Sequence, residues 1–227
     1  MTAGAAGRSE TARAPRTSCS AREVTRVRTL GALVAGPLLV ISTAVAGMAT
    51  EGYDPRAETV SRLASPGQPL AMLVATSFVL YGLLVVVGAL PLAARFAPGS
   101  RCAGPLVAVY GLAGVVCGLA PKDLPGAPPT TASTVHVLAT VVGGAAIVAA
   151  MAIAGWPSIR PTDQRLARVA LVVTLISAVA FRATWGTPVY GAIERVVLGA
   201  PLVWLTVVAA GRGPTAGGWS DVGVRSA

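Results

Sequence analysis

Six long runs of apolar residues constrain this chain more than any other feature. They are Leu30–Met48, Leu70–Ala94, Cys102–Ala120, Thr134–Gly155, Val169–Phe181 and Tyr190–Ala210. A helix needs roughly 20 apolar residues to cross about 30 Å of hydrocarbon, so six such helices with short connections use nearly all of the 227 residues. The sequence therefore predicts an all-α fold, a polytopic integral membrane helical bundle of six transmembrane helices.

Composition agrees with a membrane location. Hydrophobic residues make up 54% of the chain and charged residues 12%, and the mean hydropathy is +0.69, which is far from the balance of soluble domains. The net charge of +9 would suggest nucleic acid in a soluble protein. Here the basic residues lie in the connections between the runs, so we expect a lipid bilayer as the partner and no nucleic acid.

The distribution of Lys and Arg predicts the orientation. Alternating the connections between two sides places 13 basic residues on the side of the two termini and 5 on the other. Because basic residues concentrate on the cytoplasmic side, both termini are expected there, in the cell membrane. Residues 1–29 then form a basic, disordered tail, 30–210 the membrane domain and 211–227 a second tail. Ala44-Val45-Ala46 also resembles a signal-peptidase site, which leaves cleavage after the first run as an alternative.

Cysteine and histidine usage limits the chemistry of any site. Cys102 and Cys117 would lie about 22 Å apart along one helix, too far for a disulfide. His136 is the only histidine, so one chain cannot form a zinc site with two or three imidazoles. We expect no metal and no cofactor, although Asp54, Asp123 and Glu194 with His136 nearby could hold a harder ion.

Polar residues are expected to converge on the outer side. The segment Glu51–Arg62, called here the polar segment, holds three of the nine acidic residues and lies between two apolar runs. The same topology places the third loop and the start of the sixth run beside it. The candidate ligand-binding residues are Tyr53, Asp54, Arg56, Glu58, Ser61, Asp123, His136, Arg182, Glu194 and Arg195. Together they predict an extracytoplasmic polar vestibule.

Glu194 and Arg195 lie about one turn inside the sixth run, where an unpartnered charge costs about 2.5–3.5 kcal/mol. Adjacent helical residues point about 100° apart, so each is expected to reach a different partner. The expected partners are Arg182 or Arg56 for Glu194, and Asp54 or, preferably, Asp123 for Arg195. A guanidinium carries five donors, which an acidic loop residue would satisfy in part.

Three further interpretations concern single side chains. His136, in the first turn of the fourth run, is expected to cap a helix or to bond a neighbouring loop. Ser61 lacks a Gly-x-Ser-x-Gly elbow, so we expect a hydrogen-bonding role and not a nucleophile. Tyr53, Trp185 and Tyr190 lie where an interfacial aromatic belt would place them.

Three motifs carry a resemblance to a known family. They are Gly-Tyr-Asp-Pro-Arg-Ala-Glu-Thr-Val-Ser at 52–61, Gly-Leu-Ala-Pro-Lys-Asp at 118–123 followed by His136, and Gly-Ala-Ile-Glu-Arg at 191–195. In this order they resemble the bacterial and archaeal membrane family called domain of unknown function 998, over residues 30–210. The resemblance implies a polytopic membrane fold and no established activity. Arg62 stands where such proteins usually carry an acidic residue.

Three functions remain open from the sequence. The preferred one is a ligand, a lipid head group or a protein partner bound on the outer face. The alternatives are a membrane-embedded hydrolase or transferase using Asp54, Asp123, His136 and Glu194, and a transporter. Transport is less favoured because the span interiors lack buried charges and an obvious internal repeat. The sequence leaves the oligomeric state open.

Overall fold

The computed structural model describes residues 18–93, 100–155 and 161–210. These residues form six α-helices and one short 3-10 helix, and no strand occurs among them. The helices are α1 (Ser18–Ala49), α2 (Ala71–Ala93), α3 (Ala103–Leu119), α4 (Thr131–Ala154), α5 (Pro161–Ala183) and α6 (Tyr190–Ala210), and the 3-10 helix (Val60–Ala64) precedes α2. The predicted all-α fold is confirmed.

Four helical segments are long and apolar enough to cross a membrane. They are Ala71–Ala93, Thr131–Ala154, Gln164–Ala183 and Tyr190–Ala210, with mean hydropathies of 1.7 to 2.4. Leu33–Ala49 and Ala103–Leu119 are apolar as well but shorter. Large aliphatic side chains remain exposed along these helices, among them Ile41, Leu90 and Val179. This pattern is that of a multi-pass membrane protein, in which lipid replaces water around the helices.

Two helices begin earlier than hydropathy predicts. α1 begins at Ser18, inside the segment expected to be disordered, and α5 begins at Pro161, eight residues before the apolar run at Val169. Hydropathy marks the part of a helix that contacts lipid, whereas Ala, Arg and Gln continue a helix equally well in water. Proline at the first helical position is also favourable. The rest of the expected tails, residues 1–17 and 211–227, lies outside the described residues.

Each helix packs against the next one along the chain, and α6 returns to pack against α1. One face of α2 supplies much of the core through Val74, Phe78, Tyr81 and Val85, which recur at helical spacing and are almost fully buried. The α1–α2 connection contacts the first turns of α6, and the α3–α4 connection contacts the α5–α6 connection. These three connections therefore lie at one end of the bundle, called here the connection end.

Candidate functional site

The polar segment folds as a compact loop at the connection end. Gly52 turns the chain after α1 with a φ of 71°, a conformation that favours glycine. The Asp54 carboxylate accepts the Arg56 N–H at 2.8 Å, and the Asp54 carbonyl accepts the N–H groups of Ala57 and Glu58 at 3.2 and 2.9 Å. These local bonds shape the loop before the 3-10 helix begins.

The first turn of α6 lies directly against the backbone of this loop. Gly191 allows the close approach, because a Cβ added there would stand 2.6 Å from the Glu58 nitrogen. The Ala192 N–H donates to the Arg56 carbonyl at 2.8 Å, which satisfies one of the donors that a helix leaves open at its N-terminus. The α6 N-terminus is therefore docked on the main chain of the polar segment.

Glu194 bonds to backbone and not to an arginine. Its Oε2 accepts the N–H of Val60, the first residue of the 3-10 helix, at 2.5 Å. Among the described residues the ion pair present joins Glu58 and Arg62, so the expected pairing of Glu194 with Arg182 or Arg56 is wrong. A carboxylate at a helix N-terminus meets an open donor and a favourable dipole, which explains the preference.

Arg195 also bonds to the polar segment. Nη1 donates to the carbonyls of Pro55 at 2.6 Å, Glu58 at 3.0 Å and Gly191 at 2.9 Å, and Nη2 donates to the Tyr53 hydroxyl at 2.6 Å. The expected ion pair with Asp123 or Asp54 is wrong, because the docked loop presents its own carbonyls to the guanidinium. Glu194 and Arg195 therefore do reach different partners, but those partners are mostly main chain.

Tyr53 links Arg195 to the 3-10 helix. Its hydroxyl accepts from Arg195 and donates to the Thr59 carbonyl at 3.1 Å, and its ring lies 5.8 Å from the guanidinium carbon. Burial raises the pKa of the Tyr53 phenol, while the Arg195 charge opposes that shift. The phenol therefore stays protonated near neutral pH and can both donate and accept.

Arg62 pairs with Glu58 one turn earlier. Glu58 Oε2 and Arg62 Nε are buried and have no hydrogen-bond partner among the described residues. The buried Ser61 hydroxyl donates to Thr59 Oγ1 at 3.4 Å, and no bond to His136 accompanies it. Ser61 thus has a hydrogen-bonding role, as expected, and the site offers it no general base.

Asp123 organises its own loop. Its two oxygens accept the Thr130 N–H at 2.7 Å and the Thr130 hydroxyl at 2.8 Å, and Thr130 in turn caps α4 by accepting the Ser133 N–H. These bonds, with the Thr130 N–H the largest cause, lower the pKa of the Asp123 carboxyl. The carboxylate is committed to this loop and not to Arg195.

His136 fastens α4 to the end of α3. Its Nδ1 lies 2.9 Å from the Ala120 carbonyl and 3.2 Å from the Cys117 carbonyl. Both partners can only accept, so the geometry assigns the proton to Nδ1. The side chain is 4% exposed, and the expected role of bonding a neighbouring loop or helix end is confirmed.

The structure does not gather the four proposed catalytic residues. Asp54, Asp123 and His136 each serve a local bond, and Glu194 serves the 3-10 helix. Within residues 18–93, 100–155 and 161–210, no group of three or more His, Cys, Asp or Glu side chains could hold a metal ion. Among the described residues, these four side chains are engaged in hydrogen bonds that hold loops and helix ends.

Aromatic side chains join the two remaining loops. Phe181 stacks on Tyr190 at 4.2 Å between ring centroids, and Trp185 meets the same ring edge-on at 5.1 Å. Lys122 lies 5.9 Å above the Trp185 ring, which connects the α3–α4 loop to the α5–α6 loop. Arg182 is exposed at the last turn of α5 and does not line the cleft between α1 and α6.

A cleft of about 780 Å³ opens between α1 and α6. Its walls are mostly apolar, and the polar segment lines one end of it. The lining includes Leu39, Val40, Ala44, Met48, Tyr53, Arg195, Leu198, Gly199 and Leu202, together with Glu51 at the polar end. Apolar walls with a few polar groups at one end are typical of ligand sites of 300–1,000 Å³.

Sequence reasoning missed this α1–α6 cleft and its apolar lining. One signal was available, because Arg195, Leu198, Gly199 and Leu202 recur at i, i+3, i+4 and i+7 and so share one face of α6. The contribution of α1 had no comparable signal, since it depends on which helix packs beside α6. Gly191 lay within a quoted motif, but its contact with the loop backbone could not be read from spacing.

One of three comparisons with known proteins identifies a family for this chain. No curated protein and no solved structure is detectably similar to the chain. A family model described as "Protein of unknown function (DUF998)" matches residues 33–211. The motifs of that resemblance are the ones joined at the connection end, where 191–195 dock on 52–61. The chain therefore belongs to the DUF998 family of membrane proteins.

Proposed function

We propose that this protein crosses the cell membrane six times, with both termini in the cytoplasm, and binds the hydrocarbon chain of an amphiphile in the α1–α6 cleft. The 13 to 5 division of basic residues supports the orientation. In this orientation the connection end, and with it the polar end of the cleft, would lie at the outer surface.

The shape and lining of the cleft carry the proposal. Its volume of about 780 Å³ suits a ligand with a long hydrocarbon chain. Leu39, Val40, Leu198 and Leu202 supply apolar contact, while polar groups occur at the end where α1 finishes. An amphiphile oriented like a lipid of the outer leaflet would match both parts. Each buried CH₂ contributes about 0.8 kcal/mol when it leaves water, and less when it leaves lipid.

The alternative functions receive less support. A hydrolase or transferase would need an acid or base that is free to meet a substrate, but His136 and Asp123 are engaged in local structural bonds. A transporter would be expected to carry ionisable groups along a path through the bundle. The charged candidates instead lie at the connection end.

The test compares two glycines that face open space. A Cβ on Gly199, which lines the cleft, or on Gly144, which lies exposed on α4, would meet nothing within 4 Å. Because the first side-chain atom has room at Gly199, Gly199→Phe should place its ring in the cleft, and Gly144→Phe is the matched control. A monoacylglycerol with a diazirine in its chain would be photolysed with the purified full-length protein, and the labelled peptides identified by mass spectrometry.

We expect wild type and Gly144→Phe to carry labels on residues 39–48 and 198–202. Gly199→Phe should lose at least about four-fifths of that labelling, because an aromatic side chain occupies the space of the hydrocarbon. Equal labelling of the two variants, or labels spread evenly over all lipid-facing helices, would refute the proposal.

A further inference from the structure

Arg195 retains donors that no protein group satisfies. The guanidinium has five N–H groups. The two on Nη1 serve three carbonyls, and one on Nη2 serves the Tyr53 hydroxyl. The Nε–H and the second Nη2–H have no acceptor among the described residues. Nε is also absent from the buried atoms that lack a partner, so it is not fully buried.

The charge of Arg195 is likewise not balanced by an ion pair. All four of its partners are neutral oxygens, and no carboxylate lies within 4.0 Å of it in the described part of the chain. Glu51 lines the same α1–α6 cleft but is exposed and forms no ion pair there. The carboxylate of the neighbouring Glu194 accepts the Val60 N–H and forms no ion pair with Arg195. Hydrogen bonds to carbonyls orient a guanidinium without neutralising it, so Arg195 presents a cationic group at the polar end of an apolar cleft.

We infer that the amphiphile bound in the α1–α6 cleft is a single-chain lipid anion, whose phosphate or carboxylate oxygens accept the two free N–H groups of Arg195. The inference rests on the proposed function and adds the class of head group. A planar guanidinium suits such oxygens because its donors match their spacing. The apolar lining selects a lipid over a soluble anion, since Leu198 and Leu202 continue the cleft along α6 from Arg195.

The bonds already made by Arg195 preorganise it for this role. Three carbonyls and a phenol hold the side chain in one position before a ligand arrives, so little side-chain entropy remains to be lost on binding. Lysine would keep the charge but not the fixed fork of donors.

The experiment uses competition against the photoactivatable monoacylglycerol described above. The competitors are lysophosphatidic acid and an unlabelled monoacylglycerol with the same acyl chain, and soluble glycerol phosphate, each added to full-length protein in a neutral maltoside detergent. In wild type, lysophosphatidic acid should compete at least about tenfold better than monoacylglycerol, because hydrogen bonds between charged groups are roughly twice as strong as neutral ones. Glycerol phosphate should not compete at the same concentration.

Substitutions then assign the preference to one side chain. Arg195→Gln should reduce the preference for lysophosphatidic acid over monoacylglycerol to below about threefold, and Arg195→Lys should give an intermediate value. Arg182→Gln removes the same charge from the same end of the bundle outside the cleft, and should behave like wild type. If Arg195→Gln does not fold, Arg195→Lys and the salt dependence of the wild-type preference replace it.

The outcomes separate this inference from the proposed function. Equal competition by both lipids in wild type would overturn the anionic head group and leave the hydrocarbon site standing. Competition by glycerol phosphate as strong as that of lysophosphatidic acid would overturn the lipid anion in favour of a soluble one. If both Arg195 variants kept the wild-type preference for lysophosphatidic acid over monoacylglycerol, Arg195 would not be the group that binds the head group. Absence of any cleft labelling would overturn both proposals together.

Discussion

Gly191→Ala should separate α6 from the polar segment. The added Cβ would stand 2.6 Å from the Glu58 nitrogen and 2.7 Å from its carbonyl carbon. Both atoms belong to backbone, so neither can rotate away, and the helix and the loop must move apart by roughly 1 Å to reach ordinary contact. A shift of that size would stretch the 2.8 Å bond from Ala192 to Arg56 beyond hydrogen-bond range.

The expected cost follows from these two effects. Overpacking of a fixed contact costs about 1–3 kcal/mol, and each hydrogen bond lost at the docked turn adds about 1 kcal/mol. Replacing glycine by alanine in a helix stabilises the helix by at most about 1 kcal/mol, and by less in the first turn. We therefore expect the free energy of unfolding to fall by about 2–4 kcal/mol.

Gly199→Ala provides the matched control on the same helix. Its Cβ would meet nothing within 4 Å, so the variant should be neutral or up to about 1 kcal/mol more stable than wild type. Unfolding would be followed by tryptophan fluorescence during titration of mixed micelles with sodium dodecyl sulfate. The close contact between Gly191 and Glu58 would be refuted if the two alanine variants unfolded at the same denaturant fraction.

Four further results are expected. His136→Asn keeps a donor close to the position of Nδ1 and should be milder than His136→Gln, which should cost about 1–3 kcal/mol by leaving the carbonyl of Ala120 unbonded; equal stability in detergent melts would contradict this. The Asp123 pKa is lowered by Thr130, so the loop is stabilised above the ordinary aspartate pKa and loses that stability as pH falls through the lowered value. The Thr130 amide chemical shift should follow that acid transition in wild type and stay flat in Asp123→Asn; a transition in the variant would exclude Asp123 as its source. Arg195→Leu and Asp123→Leu should be additive within about 0.5 kcal/mol in thermal melts, and coupling above 1 kcal/mol would indicate a contact that the structure lacks. Reporter fusions at residue 227 and within 124–130 should give opposite signals, and identical signals would contradict six spans with cytoplasmic termini.

Hydropathy predicted the position of most helices, because a segment in contact with lipid must be apolar. α2, α3, α4 and α6 lie within three residues of their apolar runs, since lipid exposure and helical hydrogen bonding coincide there. Hydropathy did not predict the first turns of α1 and α5, because these turns lie outside the apolar runs although they are helical. A window of hydropathy detects the solvent around a helix and not its hydrogen bonds.

The polar site was predictable only in part. Charges from two distant motifs do meet at the connection end, as the topology implied. Their partners were misassigned because Arg195 and Glu194 bond mainly to main-chain groups, and every residue offers such groups. The sequence therefore identifies which charged side chains need hydrogen-bond partners. The position of the docked loop determines which groups become those partners.

Arg195 belongs to both the docked turn and the α1–α6 cleft, and this links stability to binding. A ligand that binds the folded state stabilises it by about 2.7 kcal/mol at one hundred times its Kd. Gly191→Ala should lower both stability and lipid-anion binding, because it displaces the Pro55 and Glu58 carbonyls that hold Arg195. Gly199→Phe should lower binding with a smaller effect on stability, since a Cβ at Gly199 has open space whereas a Cβ at Gly191 meets the loop backbone. Unfolding titrations of both variants with and without lysophosphatidic acid would test the link. It would be disproved if Gly191→Ala lost stability but kept the full wild-type stabilisation by the lipid.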